Sequence, residues 1–340
     1  MKKIFILAAI ALSLQLQAQN KAYKGGELYS TSSVLYGKFE MCMQASKASG
    51  LLSTFFLYKN GSEQQGAAWE EIDIEIFGKN NALSFQSNII TGTGGATKSE
   101  QVHTNATSLA DDFHVYTLEW TPDYIAWYLD GVELRKTTGA QVTLCSSAMS
   151  YRFNTWISNS VPWVGAFTAG DLPKHQFVDW LSYSSYTKGA GDNGTDFTFS
   201  WKDDFTTYNS SRWAKANWTF DGNLVDYDPN NIRTQDGKLI LSCTTSGATG
   251  FTGSVPAGTC AGPNSSKEHG AVQFDLFMNE KTLYLNNSDV YQITIVDLSG
   301  KKVFSGRVNN SVFIGELPAG IYIVNINTAE GSFNKKIVLN

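Results

Sequence analysis

The sequence predicts an all-β protein built around a two-sheet sandwich, with a smaller β domain behind it. Three observations lead there. From Leu28 to Tyr186 the chain falls into short runs of strand length that stop at Gly, Asn, Pro or Asp. Asp130-Gly131 joins Tyr124–Leu129 to Val132–Lys136, the residue pair that favours a two-residue hairpin. Beyond the amino-terminal segment no stretch keeps a 3.6-residue apolar period. With 340 residues, 42% of them hydrophobic, the chain can bury one large core and a small second one, and at this length a sandwich is favoured over a barrel.

Residues 1–18 place Lys2 and Lys3 before the apolar run Ile4–Leu14 and a small residue at Ala18, the form of a signal peptide. The run is too short to span a bilayer, and no cysteine follows it to carry a lipid anchor. Export of a soluble protein is therefore expected. Strands follow at Tyr36–Met43, Leu51–Tyr58, Phe85–Ile90 and His114–Trp120.

Between them, Trp69-Glu70-Glu71-Ile72-Asp73-Ile74-Glu75-Ile76 alternates strictly. As a strand it sets Glu71, Asp73 and Glu75 on one face and three isoleucines on the other. Three adjacent carboxylates repel one another, which raises at least one pKa unless something uses them. Glu71 and Glu75 lie about 13 Å apart along the backbone at roughly 3.3 Å per residue. Side chains leaning together can close that to the roughly 5–5.5 Å of a retaining glycosidase pair, against about 6.5–9.5 Å for inversion. A merely acidic, solvated strand face is the competing explanation.

Composition excludes some partners. A net charge of −5 with only 17% charged residues offers no basic stripe for nucleic acid. Nine Trp and fifteen Tyr suit a binder of flat, weakly charged sugar rings, or else serve the core. Cys42, Cys145, Cys243 and Cys260 lack zinc spacing. Export permits disulfides, with Cys243–Cys260 preferred because the two flank a Gly-rich loop. His103, His114, His175 and His269 form no ligand or triad spacing.

Trp69-x-Glu71-Ile72-Asp73-Ile74-Glu75, together with Phe56-Leu57-Tyr58-x-Asn60, Phe85-Gln86-Ser87-Asn88 and Arg152-Phe153-Asn154-x-Trp156, resembles glycoside hydrolase family 16 over roughly residues 25–256. Within it the motifs resemble the bacterial 1,3-1,4-β-glucanases, or lichenases. The resemblance implies a jelly-roll sandwich of the concanavalin A-like kind. Asp203-Asp204-Phe205, Ser211-Arg212-Trp213, Trp218–Asn223 and Asp236-Gly237-Lys238-Leu239 look like the amino-terminal strands of an ordinary lichenase, yet they follow the acidic strand. This implies a circularly permuted order, with the Gly-rich Lys188–Thr195 joining the unpermuted ends.

The same resemblance assigns roles. Glu71 is the expected nucleophile and Glu75 the general acid and then base, its pKa raised by the charge of Glu71. Asp73 tunes both, or is a structural acid bonded to backbone. Trp69, Trp156, Trp163 and Trp218 match cleft-lining positions, although Trp163 can also be read as cover for the core. Tyr58, Asn60, Gln86, Asn88, Arg152 and Asn154 match polar positions that hold hydroxyls, with Glu27 and Phe56 as further candidates. Arg152 has the alternative of holding the nucleophile. No cofactor is expected for catalysis. A structural calcium is implied by the resemblance, with Asp179 as its side-chain ligand and Asp204 and Gly237 offering carbonyl oxygens. Laminarinases and agarases of the family carry an extra residue between Asp and the second Glu. The unbulged spacing here resembles lichenases and xyloglucan transglycosylases.

Beyond Ser246 the composition shifts to Gly, Ser, Thr, Pro and Asn, and strands return at Gln292–Val303, Leu317–Val324 and Lys335–Asn340. This end resembles the carboxy-terminal sorting domain of the type IX secretion system, without its usual opening Asn-Pro; a small immunoglobulin-like accessory domain is the alternative. The expected organisation is a signal peptide at 1–18, a catalytic domain at 19–256, a linker at 257–278 and a sorting domain at 279–340. The expected partners are a mixed-linkage β-glucan and the outer-membrane secretion machinery, with the protein a monomer at the cell surface or released. The competing functions are another specificity of the family, xyloglucan or 1,3-β-glucan, and a non-catalytic lectin-like module.

Overall fold

The structure is a computed structural model that describes residues 21–260, 276–279, 281–285, 291–297, 301–308, 311–328 and 331–339. The expected signal peptide, residues 1–18, lies outside them. The chain divides into two compact units, residues 1–262 and 263–340.

The first unit is all β apart from single helical turns. Its strands begin with β1 (Tyr23–Ser30), β2 (Gly37–Gln44), β3 (Leu51–Tyr58), β4 (Ala68–Phe77), β5 (Ser84–Thr93) and β6 (Thr97–Lys98). They continue with β7 (Gln101–Thr104), β8 (His114–Trp120), β9 (Ile125–Leu129), β10 (Val132–Thr137), β11 (Ser150–Ile157) and β12 (Lys174–Tyr186). Last come β13 (Phe197–Asp203), β14 (Trp213–Lys215), β15 (Val225–Tyr227), β16 (Ile232–Gln235) and β17 (Lys238–Thr245).

Two antiparallel layers result. The front layer runs β14-β1-β11-β3-β4-β5, with β6 and β7 on the outer edge of β5. The back layer runs β10-β9-β8-β2-β12, and β12 is flanked on its far side by β17 and β13. Pairing of β1 with β15 and β17 joins the two layers. Between them Ile72, Ile74 and Ile76 of β4 and Phe55 and Leu57 of β3 meet Phe39, Met41, Tyr116, Leu118 and Trp127 of the back layer, all fully buried. Burying each of those isoleucines contributes roughly 1.5–3 kcal/mol, so the alternation fixes which face of β4 turns outward.

Glu70 falls on the inward side of that alternation and is buried. Its carboxylate accepts from the Ser146 and Ser147 amides (2.8 Å each), the Ser147 hydroxyl (2.6 Å) and Lys59 (3.0 Å). Against the upward push of burial, these donors hold its pKa below the ordinary value and pin the start of β4.

The expected hairpin is present: Leu129 pairs with Val132, and Asp130 and Gly131 both take positive φ. The pairing of β4 with β3 and β5 runs without a register shift from Ala68 to Phe77, so the acidic strand carries no bulge.

Two expectations are corrected. Cys260 bonds to Cys42, not to Cys243, while Cys145 and Cys243 are buried free thiols. Cys42 points out of the back layer, where Phe113, Phe177, Trp180, Ile240 and Phe251 form an apolar patch that the 251–260 segment covers. Residues 257–260 thus belong to the first unit, and the expected linker starts too early. It also ends too late, because a strand begins at Leu276.

The second unit holds β18 (Leu276–Asn279), β19 (Thr282–Leu285), β20 (Tyr291–Asp297), β21 (Lys302–Val308), β22 (Ser311–Phe313), β23 (Gly320–Thr328) and β24 (Gly331–Leu339). They form sheets of order β18-β19-β22 and β21-β20-β23-β24 around Ile293, Ile295, Tyr322 and Val324.

Candidate active site

The outward face of β4 is the floor of the site. Glu71 lies opposite Tyr58 on β3 and Ile90 on β5; Asp73 lies opposite Phe56 and Asn88; Glu75 lies opposite Thr54 and Gln86. Residues directly opposite share a face, so Tyr58, Phe56, Asn88 and Gln86 surround the acids as the sequence predicts. Asp73 is buried, and Glu71 and Glu75 are partly so.

Each acid has its own environment. The Trp69 indole N–H donates to Glu71 Oε2 at 2.6 Å. Burial pushes the Glu71 carboxyl up to about 7, opposed by the bonds from Trp69 and Asp73 and by the charge of Arg152. Gln86 Nε2 donates to Glu75 Oε2 at 3.0 Å. Burial, and after it the charge of Glu71, pushes Glu75 up to about 8. Desolvation therefore outranks the neighbouring charge that the sequence suggested as the cause. Burial and both flanking glutamates push the Asp73 carboxyl well above the ordinary range, and its side chain is hydrogen-bonded to Glu71. Asp73 is thus not a backbone-bonded acid; it is its main-chain carbonyl that is held, by Trp127 Nε1 at 2.9 Å.

Arg152 does not hydrogen-bond the nucleophile candidate. Its Nη1 donates to Glu27 Oε1 (3.0 Å), its Nη2 to Asn60 Oδ1 (2.6 Å) and its Nε to Ser150 Oγ (2.8 Å). Asn154 Nδ2 donates to the other Glu27 oxygen at 3.2 Å. The guanidinium lies within 6 Å of the rings of Tyr29, Phe56, Tyr58 and Trp218, nearest Tyr58 at 4.6 Å. Arg152, Glu27, Asn60, Asn154 and Trp218 thus form one connected end of the site. The Tyr58 hydroxyl donates to Glu63, which the sequence did not single out.

At the other end a cavity of about 430 Å³ is lined by Glu75, Gln86, Asn88, Trp156 and Trp163, and also by Lys98, Glu100, Ser158, Ser160 and Asp221. Trp163 donates to Gln86 Oε1 at 3.3 Å and packs edge-on against Phe77, so it serves the cleft and the core at once. Phe220, 41% exposed, stands 5.0 Å from the Trp156 ring. Sequence reasoning missed Lys98, Glu100, Phe220 and Asp221, which come from loops and short edge strands. Only Phe220 and Asp221 sat within a recognised motif.

Asp179, the expected side-chain ligand of calcium, does not fit a metal as it stands. Lys238 Nζ donates to Asp179 Oδ1 at 2.8 Å and the Thr259 hydroxyl bonds the other oxygen, so the carboxylate is already neutralised. Asp204 caps Thr206 with its side chain. Gly237 is the second central residue of the tight turn between β16 and β17, where Asp236 and Gly237 both take positive φ. Among the described residues no cluster of three or more His, Cys, Asp or Glu could hold a metal ion.

Comparison with known proteins places this geometry. Residues 8–171 match the family model described as glycosyl hydrolases family 16, and residues 263–340 match the secretion system C-terminal sorting domain. A β-glucanase of Fibrobacter succinogenes is 47% identical over 266 residues, 78% of this chain and 76% of that protein. One from Paenibacillus polymyxa is 36% identical over 178 residues, 52% of this chain and 70% of that protein. The solved structure of a Bacillus licheniformis β-glucanase is 27% identical, covers 46% of this chain and 70% of its own, and superposes with a TM-score of 0.41.

Proposed function

We propose, from the premise that this chain belongs to family 16 of the glycosyl hydrolases, that it is an exported endo-1,3-1,4-β-glucanase that retains anomeric configuration. The observation that carries this reading is the acid row of β4, which sets Glu71, Asp73 and Glu75 on one outward face with Trp69 bonded to Glu71 and Gln86 bonded to Glu75. Glu71 attacks the anomeric carbon while Glu75 gives its proton to the departing glycosidic oxygen. The hydrogen bond between Asp73 and Glu71 steadies the Glu71 carboxylate in the resting enzyme. Glu75, now ionised, then takes a proton from water, which attacks the glycosyl ester and frees Glu71. Aromatic rings and the polar groups of β3, β5 and β11 orient the glucan across this row.

Mixed-linkage glucan is favoured by the unbulged β4 and by the β-glucanases among the relatives. Parallel digestion of barley β-glucan, lichenan, laminarin and xyloglucan tests it. Release of reducing sugar from the first two supports the reading, and activity on laminarin alone refutes it.

The sorting-domain match and the apolar amino terminus support passage through the inner membrane and then the outer one. The order of the strands supports a circular permutation. β13–β17 fill positions beside β1 and β12, the Ser246 amide bonds the Ala22 carbonyl at 2.9 Å, and Lys188–Thr195 links antiparallel β12 and β13. A chain opened at Gly191 and joined from Cys260 to Lys21 through a flexible linker, which keeps the 251–260 segment and the Cys42–Cys260 bond, should keep its activity; an unfolded product would contradict the permutation.

A further inference from the structure

Arg135 is a charged residue facing inward. A register shift between Glu133 and Arg135 on β10 sets it opposite Trp127, whose side chain is fully buried, and so turns its own side chain into the sandwich. There it is 9% exposed, with the guanidinium 4.6 Å from the Trp127 ring. Its hydrogen-bond partners are carbonyls and hydroxyls. Nη1 donates to Ser87 O (3.0 Å), Ser87 Oγ (3.0 Å) and Ser99 O (2.9 Å), and Nη2 donates to Ser99 Oγ (2.7 Å). Burying a cation against neutral acceptors costs stability that an apolar residue would not. The cost calls for a gain elsewhere.

What Arg135 grips is the rear of the active-site wall. Ser87 stands on β5 between Gln86 and Asn88, the residues opposite Glu75 and Asp73. Gln86 holds the Glu75 carboxyl, and the Ser99 amide holds Asn88 Oδ1 at 3.2 Å. Ser99 is flanked by Lys98 and Glu100, which line the cavity beside Glu75. The Trp127 ring beneath the guanidinium donates to the Asp73 carbonyl. One side chain of the back layer therefore reaches both the Gln86–Asn88 segment and, through the indole, the acid strand. Ser87 Oγ also donates to the Gln101 carbonyl at 3.4 Å and lies 2.9 Å from His103 Nε2. Burial and the Arg135 charge lower the pKa of that imidazole.

We propose that Arg135 is a positioning residue for the general acid, fixing Gln86 against Glu75 from behind through the β5 backbone; the inference rests on the role given to Glu75 above. The full chain carrying Arg135→Lys keeps the charge and loses the fork, and Arg135→Met removes both. Lys136→Ala, on the outward face of the same strand, is the control. On barley β-glucan, Arg135→Lys should lower kcat about tenfold or more with KM within about twofold, since a small misplacement at the reacting centre weighs on the transition state. The alkaline limb of its pH profile should move. The Glu75 carboxyl, followed by carbon NMR with labelled glutamate and assigned with Glu75→Gln, should titrate at a different pH from wild type without any substrate present. Lys136→Ala should change neither. If both Arg135 variants only melt at lower temperature while kcat, the pH profile and the Glu75 titration stay as in wild type, Arg135 is structural and the proposal is wrong. An inactive wild type whose Glu75 titration still moves in Arg135→Lys would refute the proposed function and leave the positioning role standing.

Discussion

The Trp69 indole donates to Glu71 across 2.6 Å, two residues along the same face of one strand. A hydrogen bond to the ionised form favours it, so this contact helps keep Glu71 the more acidic glutamate. Trp69→Phe should therefore raise the acid limb of the pH profile and lower kcat severalfold at pH 6. An unmoved acid limb would assign that limb to another group.

The two glutamates set the pH range of activity. Turnover needs Glu71 ionised and Glu75 protonated, so kcat/KM should rise as pH climbs through about 7 and fall as it climbs through about 8. Both pKa values lie above the ordinary 4.5, so the folded state binds more protons than the unfolded one in this window. Stability should then fall as pH rises from about 4.5 to 8, and Glu75→Gln should melt higher than wild type at pH 9. Melting curves at pH 5 and 9 test the sign.

Glu27 and Arg152 form a buried ion pair that also carries the ring cluster. Glu27→Ala leaves the guanidinium without its carboxylate and should cost about 3–5 kcal/mol of stability in urea unfolding, together with a higher KM. A change below about 1 kcal/mol would mean that Asn60 and Ser150 suffice.

On the back layer Lys238 occupies the carboxylate that calcium would need. Chelator and added calcium should both leave the melting temperature unchanged. Lys238→Ala and reduction of Cys42–Cys260 should each lower it, the latter at a cost of about 2–4 kcal/mol of stability, because the disulfide fastens the 251–260 segment and Lys238 pairs with Asp179, to which Thr259 of that segment bonds. A rise in melting temperature on adding calcium to wild type would restore a metal site.

The sequence made β4 and its neighbours legible because strict alternation on a half-buried strand leaves one arrangement of faces. The Asp130-Gly131 turn is legible for the same local reason, and Asp236-Gly237 carries an equal hairpin signal, although its place in a lichenase-like strand motif and Gly237 as an expected calcium position drew the reading instead. What escaped depends on long-range paths. The Cys42 partner is set by where residues 251–260 cross the back layer, and Lys238 meets Asp179 from 59 residues away. Arg135 turns inward because of a bulge at Leu134 that alternation alone does not announce. Lys98, Glu100 and Asp221 reach the cleft from edge strands and a loop, where no period marks a face.

The central claim is that Glu71 attacks and Glu75 protonates. It is tested most directly by azide rescue on a β-glucan oligosaccharide with a good aryl leaving group. Glu71→Ala should lose turnover and regain it with azide, which enters from the vacated nucleophile side and gives the α-glycosyl azide. Glu75→Ala should give the β-glycosyl azide, through the glycosyl ester on Glu71. Absence of rescue in Glu71→Ala, or the β-azide from that variant, would contradict the assignment.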